Sequence, residues 1–307
     1  MEFEQGFEIR PLPEAGIPIH PIPANPLGPI ADLLGKWKGV GFNTIWRPFN
    51  PKTTSDRFLE LNLTSETLEF VRIPGTIKNR GLLQPDVDMF GLTYLQQISD
   101  SNLHAGIHVE PGIWAKVPTT TDPAEGETVV RMASIPHGTT VLAQGQAFTI
   151  SGPPTINLTN INPFPIGGSG GTTPFPEQNL AVPTTFRSPP AQLVGITQAM
   201  VDNPNSVLKA AIASQHITKT IALVISTNPT APIVGGGTEN TSFLQGTSDG
   251  PNAQAASMTA IFWIESVAAT AHEPAFTQLQ YTQTVLLNFN GLSWPHVSVA
   301  TLRHHKH

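Results

Sequence analysis

The chain has 307 residues, of which 12% are charged and 39% hydrophobic, and its formal net charge is −6. Without a run of lysine and arginine to neutralise phosphates, a nucleic-acid partner is not expected. The lack of cysteine excludes disulfides, iron–sulfur clusters, thiol catalysis and cysteine zinc sites. No segment approaches the ~20 apolar residues of a membrane helix, and the acidic N-terminus is unlike a secretory signal. We therefore expect a soluble, cytoplasmic protein that binds no membrane.

Composition along the chain predicts one domain with additions. Residues 1–26 are rich in proline, which disfavours helix and central strand and predicts an extended arm along the body. Residues 27–303 are predicted to form a single domain, interrupted at 151–255 by an insertion with glycine-rich loops. Residues 304–307 form a His-rich tail, which we exclude from site arguments.

The first elements after the arm are a short helical turn at 29–34 and a strand at 35–46. Trp37, Gly39 and Gly41 share one face of that strand. Glycines on one face let another backbone or a flat ligand approach closely, and the tryptophan is expected to fill the bottom of a barrel. Gly-x-Trp also serves simply to close small barrels, so both interpretations stand.

Short strands then follow one another, with breaks at turn-type residues. They are predicted before the insertion at 58–64, 67–71, 90–98, 103–110, 113–117, 128–135 and 139–145, and after it at 257–267, 277–289 and 294–303. The first two would form a hairpin around Ser65-Glu66, and Pro111-Gly112 would break the chain again. This pattern predicts an all-β fold, a closed antiparallel up-and-down β-barrel with short helices and an inserted segment. If the last strand pairs with the first, no edge is left open.

Inside the insertion, 203–206 has the residues that cap a helix, and a helix is predicted at 207–215. A strand is predicted at 217–227, and the glycines at 235–237 are interpreted as a turn.

Two sets of histidines are candidates for chemistry. His104, His108 and Glu110 share one face of a strand and could bind a metal, or they could form a polar outer face. His296 begins the last strand, and Ser298 and Ala300 follow on its face. An imidazole above small residues could hold a flat cofactor by one axial bond, although such a histidine is more often a surface or hydrogen-bonded group.

Several segments together resemble the nitrobindins, haem-binding β-barrels related to the C-terminal domain of THAP-type proteins and to lipocalin and fatty-acid-binding folds. The resemblance covers roughly residues 27–150 and 256–303. The segments that carry it are 33–41 with Gly-x-Trp-x-Gly-x-Gly, 92–97, 103–109, 110–114, 133–138, 141–145 and 295–302. The chain departs from the family in the arm and in the insertion, which make it nearly twice as long as usual.

The resemblance implies a barrel of about ten strands. It also implies that His296 is the axial ligand to the iron of a ferric b-type haem, and that Trp37, Gly39 and Gly41 border the cofactor. His216, at the end of the inserted helix, is the candidate distal residue, or else a partner of the helix dipole. The family binds nitric oxide and is credited with isomerising peroxynitrite to nitrate.

Two other functions stay open. The chain could be a non-haem, lipocalin-like carrier of an apolar small molecule, with His296 merely structural. It could also be a structural or assembly protein. Hydrolase motifs are missing. The expected partners are thus haem with a small diatomic or apolar ligand, and a homodimer is left open.

Overall fold

The computed structural model describes residues 25–50, 56–168, 174–231 and 233–305. The predicted arm at 1–26 therefore lies almost wholly outside the described residues. The described strands are β1 (Gly35–Pro48), β2 (Arg57–Arg72), β3 (Ile77–Asn79), β4 (Val87–Asp100), β5 (Ala105–Val117), β6 (Thr120–Thr121), β7 (Ala124–Glu125), β8 (Thr128–Ile135), β9 (Thr139–Ser151), β10 (Phe164–Pro165), β11 (Ile217–Ser226), β12 (Gly237–Asn240), β13 (Gln254–Val267), β14 (Phe276–Phe289) and β15 (Leu292–His305). The helices are α1 (Gln198–Asp202), α2 (Ser206–Ile212) and α3 (Ser242–Gln245), with 3-10 turns at Gly28–Leu33 and Pro176–Gln178. Within these ranges no helix is long and apolar enough to cross a membrane.

Ten strands form one closed antiparallel ring in the order β1-β2-β4-β5-β8-β9-β11-β13-β14-β15 and back to β1. Closure pairs the first strand with the last over most of their length, from Lys36 opposite His305 to Thr44 opposite Val297. The predicted closed up-and-down barrel is confirmed. His304 lies within this closing strand and packs edge-on against Trp37, with ring centroids 4.9 Å apart. The first residues of the predicted His-rich tail are therefore part of the barrel wall.

Part of the predicted insertion also belongs to the wall. Strand β11 pairs with β9 on one side and β13 on the other, which places residues 217–226 in the ring. Strand β12 pairs with the first part of β9 and continues the wall beyond β11. Side chains connect it to β13: Thr238 Oγ1 and Asn240 Nδ2 donate to the Ala255 carbonyl over 2.7 and 3.0 Å.

Two predicted breaks are wrong, because both segments continue as single strands. Ser65 and Glu66 lie inside β2, opposite Val40 and Gly39 of β1, so no hairpin forms there. Pro111 lies inside β5, at a point where β8 has not yet begun to pair, since that pairing starts at Gly112. A proline without an N–H is tolerated where one neighbour is absent.

One end of the barrel is packed shut. The 3-10 turn at Gly28–Leu33 inserts Ile30 and Leu33, both fully buried, into the inner core beside Trp37. The Trp37 indole donates to the Leu33 carbonyl over 2.7 Å, which fixes the turn to the first strand. We call this the closed end, and Trp37 fills the barrel bottom as the pattern predicts.

A second core covers the outer face of the wall. Residues of 156–208 pack on the outward side chains of β1, β2, β13 and β15, with Val201 and Leu208 fully buried. Trp46 on β1 donates from its indole to the Ile161 carbonyl over 2.8 Å. The inserted segment thus lies against the side of the barrel. It also contacts turns at the end opposite the closed end, since Asn102 Nδ2 donates to the Gln192 carbonyl and the Ile166 amide donates to the Gly291 carbonyl.

Candidate functional site

A cavity of about 340 Å³ lies inside the barrel at the end opposite the closed end, which we call the mouth. The turns at 136–138 and 290–291 are at this end. Its walls are largely aliphatic, formed by Ile45, Ile98, Ile107, Ile135, Val141, Met258, Val285 and Leu287. Leu244 of α3 and Ala253 complete the wall near β12. A volume of this size falls at the lower end of the range of small-molecule pockets, roughly 300–1,000 Å³.

His296 lines the cavity from β15, and a chain of side chains holds it. Its Nε2 lies 2.8 Å from Oδ1 of Asn43, which also accepts from Ser298 Oγ over 2.8 Å. The register explains the meeting, because Asn43 lies directly opposite Ser298 on the last strand and Asn62 on the second. Burial, with smaller contributions from His108 and His137, lowers the pKa of His296 to about 3. The imidazole is therefore neutral at physiological pH.

The chain continues away from His296 to a carboxylate. Asn43 Nδ2 donates to Asn62 Oδ1 over 3.2 Å, and Asn62 Nδ2 donates to Asp100 Oδ2 over 2.8 Å. The backbone amides of Asn102 and Leu103 donate to the other Asp100 oxygen, each over 2.7 Å. Burial opposes ionisation, but these hydrogen bonds lower the pKa of Asp100 below its ordinary value. The carboxylate is thus charged and only accepts.

The cavity floor is a buried ion pair. Arg131 Nη2 donates to Glu110 Oε1, and the same carboxylate oxygen accepts from the Tyr94 hydroxyl. Arg131 also donates from Nε to the Tyr94 oxygen over 2.9 Å and from Nη1 to Gln283 Oε1 over 2.6 Å. Burial opposes the charge of Glu110, but Arg131, then His108 and Tyr94, lower the pKa of this carboxyl to about 2. The pair is therefore charged and internally neutralised.

A second carboxyl lies beside this floor. Glu66 accepts from Tyr281 Oη over 2.6 Å and from Thr64 Oγ1 over 2.7 Å. Gln96 Nε2 donates to the Tyr281 oxygen over 3.1 Å. Burial raises the pKa of Glu66 above its ordinary value despite these hydrogen bonds. The two clusters separate the packed closed end from the cavity.

The residues proposed from the sequence lie in three different places. Trp37, Gly39 and Gly41 point inward but lie toward the closed end, below the cavity. A Cβ at Gly39 would be 2.0 Å from the Thr301 carbonyl oxygen, so this glycine permits close pairing with the last strand. His216 is exposed just before β11, at the end of β13 opposite the cavity. Of the residues proposed to surround a haem, only His296 lines the cavity.

The predicted cluster of His104, His108 and Glu110 is only partly formed. His104 is exposed in the turn after β4, whereas His108 lines the cavity with Nε2 3.3 Å from Glu110 Oε2. Among the residues that the structure describes, no group of three metal-binding side chains is close enough to hold an ion.

Sequence reasoning missed the floor and the support of His296. Arg131, Gln283 and Asn43 belong to alternating strand patterns, in which a polar residue is usually assigned to the outer face. Their odd or even position in the strand could have shown that they point inward, because each falls on the same face as buried apolar neighbours of its strand.

The fold and the site define a closed ten-stranded antiparallel β-barrel with a ligand-sized cavity at one end. No family model matches the chain. No curated protein matches it either. Among solved structures, the crystal structure of Rv2717c from M. tuberculosis is similar, with 14% identity, a TM-score of 0.39 and coverage of 92% of this chain and 99% of that chain. The fold assignment accordingly rests on the strand pairing described above.

Proposed function

We propose that this protein is a ligand-binding barrel that holds a small, largely apolar molecule in the mouth cavity. The observation that carries the proposal is the contrast between the two ends of the barrel. The closed end is filled by tryptophan, phenylalanine and leucine, whereas the mouth retains about 340 Å³ whose exposed lining is mainly apolar, with polar side chains between the aliphatic ones. That combination is typical of small-molecule sites.

A neutral apolar dye tests this function directly. Nile red titrated into the purified chain is expected to bind and to gain fluorescence. Ala255→Phe places a ring in the cavity, because Ala255 lines it, and should weaken dye binding by on the order of tenfold or more. The matched control is Ala256→Phe, since Ala256 is exposed next to it. Equal dye binding by Ala255→Phe and the wild type would contradict a ligand site in this cavity.

Haem b is the second candidate occupant, with His296 as the residue that would hold it. The chemistry of the side chain fits, because His296 faces the cavity with a neutral imidazole, the form that binds iron. When bound, haem would supply an iron with one open face for nitric oxide or peroxynitrite. Haem ranks second because Nε2 of His296 already hydrogen-bonds Asn43, and that bond would have to be given up for ligation through Nε2.

An absorption spectrum separates the two occupants. Hemin added to the wild type should give the Soret band of a histidine-ligated haem if this second proposal is right, and His296→Ala should lose it. His216→Ala is the control, since His216 is exposed away from the cavity and should leave the band unchanged. An unchanged Soret spectrum in His296→Ala would exclude His296 as the ligand and leave the apolar-ligand function standing.

A further inference from the structure

The proton on His296 has a determined position, set by a carboxylate three side chains away. Asp100 accepts only, so the amide nitrogen of Asn62 faces it and the amide oxygen of Asn62 faces Asn43. Asn43 must then turn its own nitrogen toward Asn62 and its oxygen toward His296. An amide oxygen has no proton to give, so Nε2 of His296 donates. In a neutral ring this leaves Nδ1 as a bare acceptor.

Gln283 is oriented by the same logic. Arg131 has donors only, so the group that Gln283 presents to Arg131 Nη1 is its oxygen, at 2.6 Å. The Gln283 amide nitrogen therefore faces away from Arg131. Gln283 lines the cavity, and no described residue accepts a hydrogen bond from this nitrogen. It offers two N–H donors to whatever occupies the cavity.

The acceptor and the donor are neighbours on the inner wall. Val285 lies opposite His296 in the pairing of β14 with β15, and Gln283 lies opposite Ser298. Gln283 and His296 are thus a diagonal pair on one face, with Cα atoms roughly 7–8 Å apart. One polar group of a ligand can reach both side chains.

The arginine and glutamate side chains that line the cavity are already paired with one another, which disfavours ionic ligands. All three nitrogens of Arg131 are engaged, and its charge is balanced by Glu110. At the mouth, Arg47 is paired with Glu60, Nε to Oε2 at 3.0 Å. A ligand carboxylate would therefore lose its water without gaining an unpaired arginine. A ligand ammonium group would find no unpaired carboxylate, since Glu110 already accepts from three neighbours.

We propose that the cavity selects an uncharged molecule with an apolar body and a hydroxyl or carboxamide end, which donates to Nδ1 of His296 and accepts from Nε2 of Gln283. This inference rests on the proposed ligand-binding function and narrows it to a class of ligand. It assigns His296 a recognition role in the absence of any cofactor.

Four probes with the same alkyl chain test the selection: 1-decanol, decanamide, decanoate and decylamine, titrated calorimetrically into the full chain at neutral pH. The alcohol and the amide should bind on the order of tenfold or more tightly than the two ions, because only the uncharged ends match the fixed donor and acceptor. If all four bind alike, or decanoate binds best, the selection is overturned while the ligand-binding function stands. If none binds and Nile red also fails, both proposals fall.

The variant that isolates the donor is Gln283→Glu, which keeps an oxygen for Arg131 and removes the N–H groups. It should weaken decanamide and decanol by about tenfold. Thr284→Val, on the outer face of the same strand, is the control and should bind both probes as the wild type does. Unchanged binding in Gln283→Glu would overturn the assigned donor.

The acceptor is tested without any ligand or substitution. Long-range ¹H–¹⁵N correlation spectra of the histidine rings distinguish protonated from unprotonated ring nitrogens. His296 should carry its proton on Nε2, with Nδ1 unprotonated, at neutral pH. A proton on Nδ1 would overturn the proposal, because the cavity would then present a donor at this position.

Discussion

At the scale of single residues, the buried carboxylate of Glu110 is expected to matter most for stability. Glu110→Gln leaves the Arg131 guanidinium buried without its counter-charge, which costs about 3–5 kcal/mol in comparable pairs. Urea unfolding at neutral pH would measure the loss. The control is Glu60→Gln, which removes a partly exposed partner of Arg47 and should cost no more than about 1 kcal/mol. Equal losses in both variants would contradict a special role for the buried pair.

The buried carboxyl group of Glu265 should make the stability of the protein depend on pH. It lies fully buried on the outer face of β13, and burial raises the pKa of this carboxyl to about 7, opposed only by a hydrogen bond from Gln278. A raised folded-state pKa means that the folded protein binds the proton more tightly than the unfolded chain. Stability should therefore fall as the pH rises from about 4.5 to about 7.

Glu265→Gln should remove that fall. The variant should be more stable than the wild type at pH 8 by up to about 3 kcal/mol, with the difference shrinking toward pH 4. Denaturant midpoints measured across this pH range would check it, with Glu239→Gln on the exposed side of β12 as control. A stability difference between the variant and the wild type that grows toward acid pH would have the wrong sign. It would refute the raised pKa of Glu265.

At the scale of elements, the seam between β1 and β15 depends on Gly39. A Cβ there would meet the Thr301 carbonyl oxygen at 2.0 Å, so Gly39→Ala must push the closing strands apart. Overpacking of this kind typically costs 1–3 kcal/mol or somewhat more. Gly106→Ala on β5 is the matched control, since nothing lies within 4 Å of its added Cβ. Thermal unfolding should separate the two, and a stable Gly39→Ala protein would contradict the close approach.

The succession of short strands and turns predicted a barrel that would close if the last strand paired with the first, and strand alternation predicted the face on which Trp37 lies. It did not predict that β2 runs through Ser65 and Glu66. Ser65 is a turn-type residue, but Glu66 pairs with Gly39 of β1 and Ile98 of β4, and its carboxylate accepts from Tyr281, which is 215 residues away in the chain. A local sequence pattern does not predict polar contacts between residues that are far apart in the chain.

The candidate site, too, could be predicted from the sequence only in part. The position of His296 on the inner face of the last strand follows from alternation, and so the sequence could nominate it. Its neutral state comes from burial, and its tautomer depends on Asn43 and, through Asn62, on Asp100, which three different strands supply. The ligand chemistry inferred for the cavity could therefore be derived only once the register between those strands was known.

At the scale of the whole molecule, β15 is buried on both faces and links two cores. Ala300 and Leu302 point into the barrel, whereas Val297 and Val299 point outward under the inserted segment. A residue lost from either core weakens packing on the same strands. We therefore expect the barrel and its outer layer to unfold as one cooperative unit rather than in sequence.

Leucine truncations on the two sides of the wall test that cooperativity. Leu208→Ala in the outer layer and Leu68→Ala in the inner core should each lower the free energy of unfolding by about 2–5 kcal/mol. Each should shift a single transition seen alike by far-ultraviolet circular dichroism and by tryptophan fluorescence, since Trp46 and Trp294 report the outer core and Trp37 the inner one. Leu82→Ala, at a side chain 95% exposed, should shift neither signal. If Leu208→Ala instead produced an early fluorescence transition with the dichroism unchanged, the outer layer would be a separate unit, added to a barrel that stands without it.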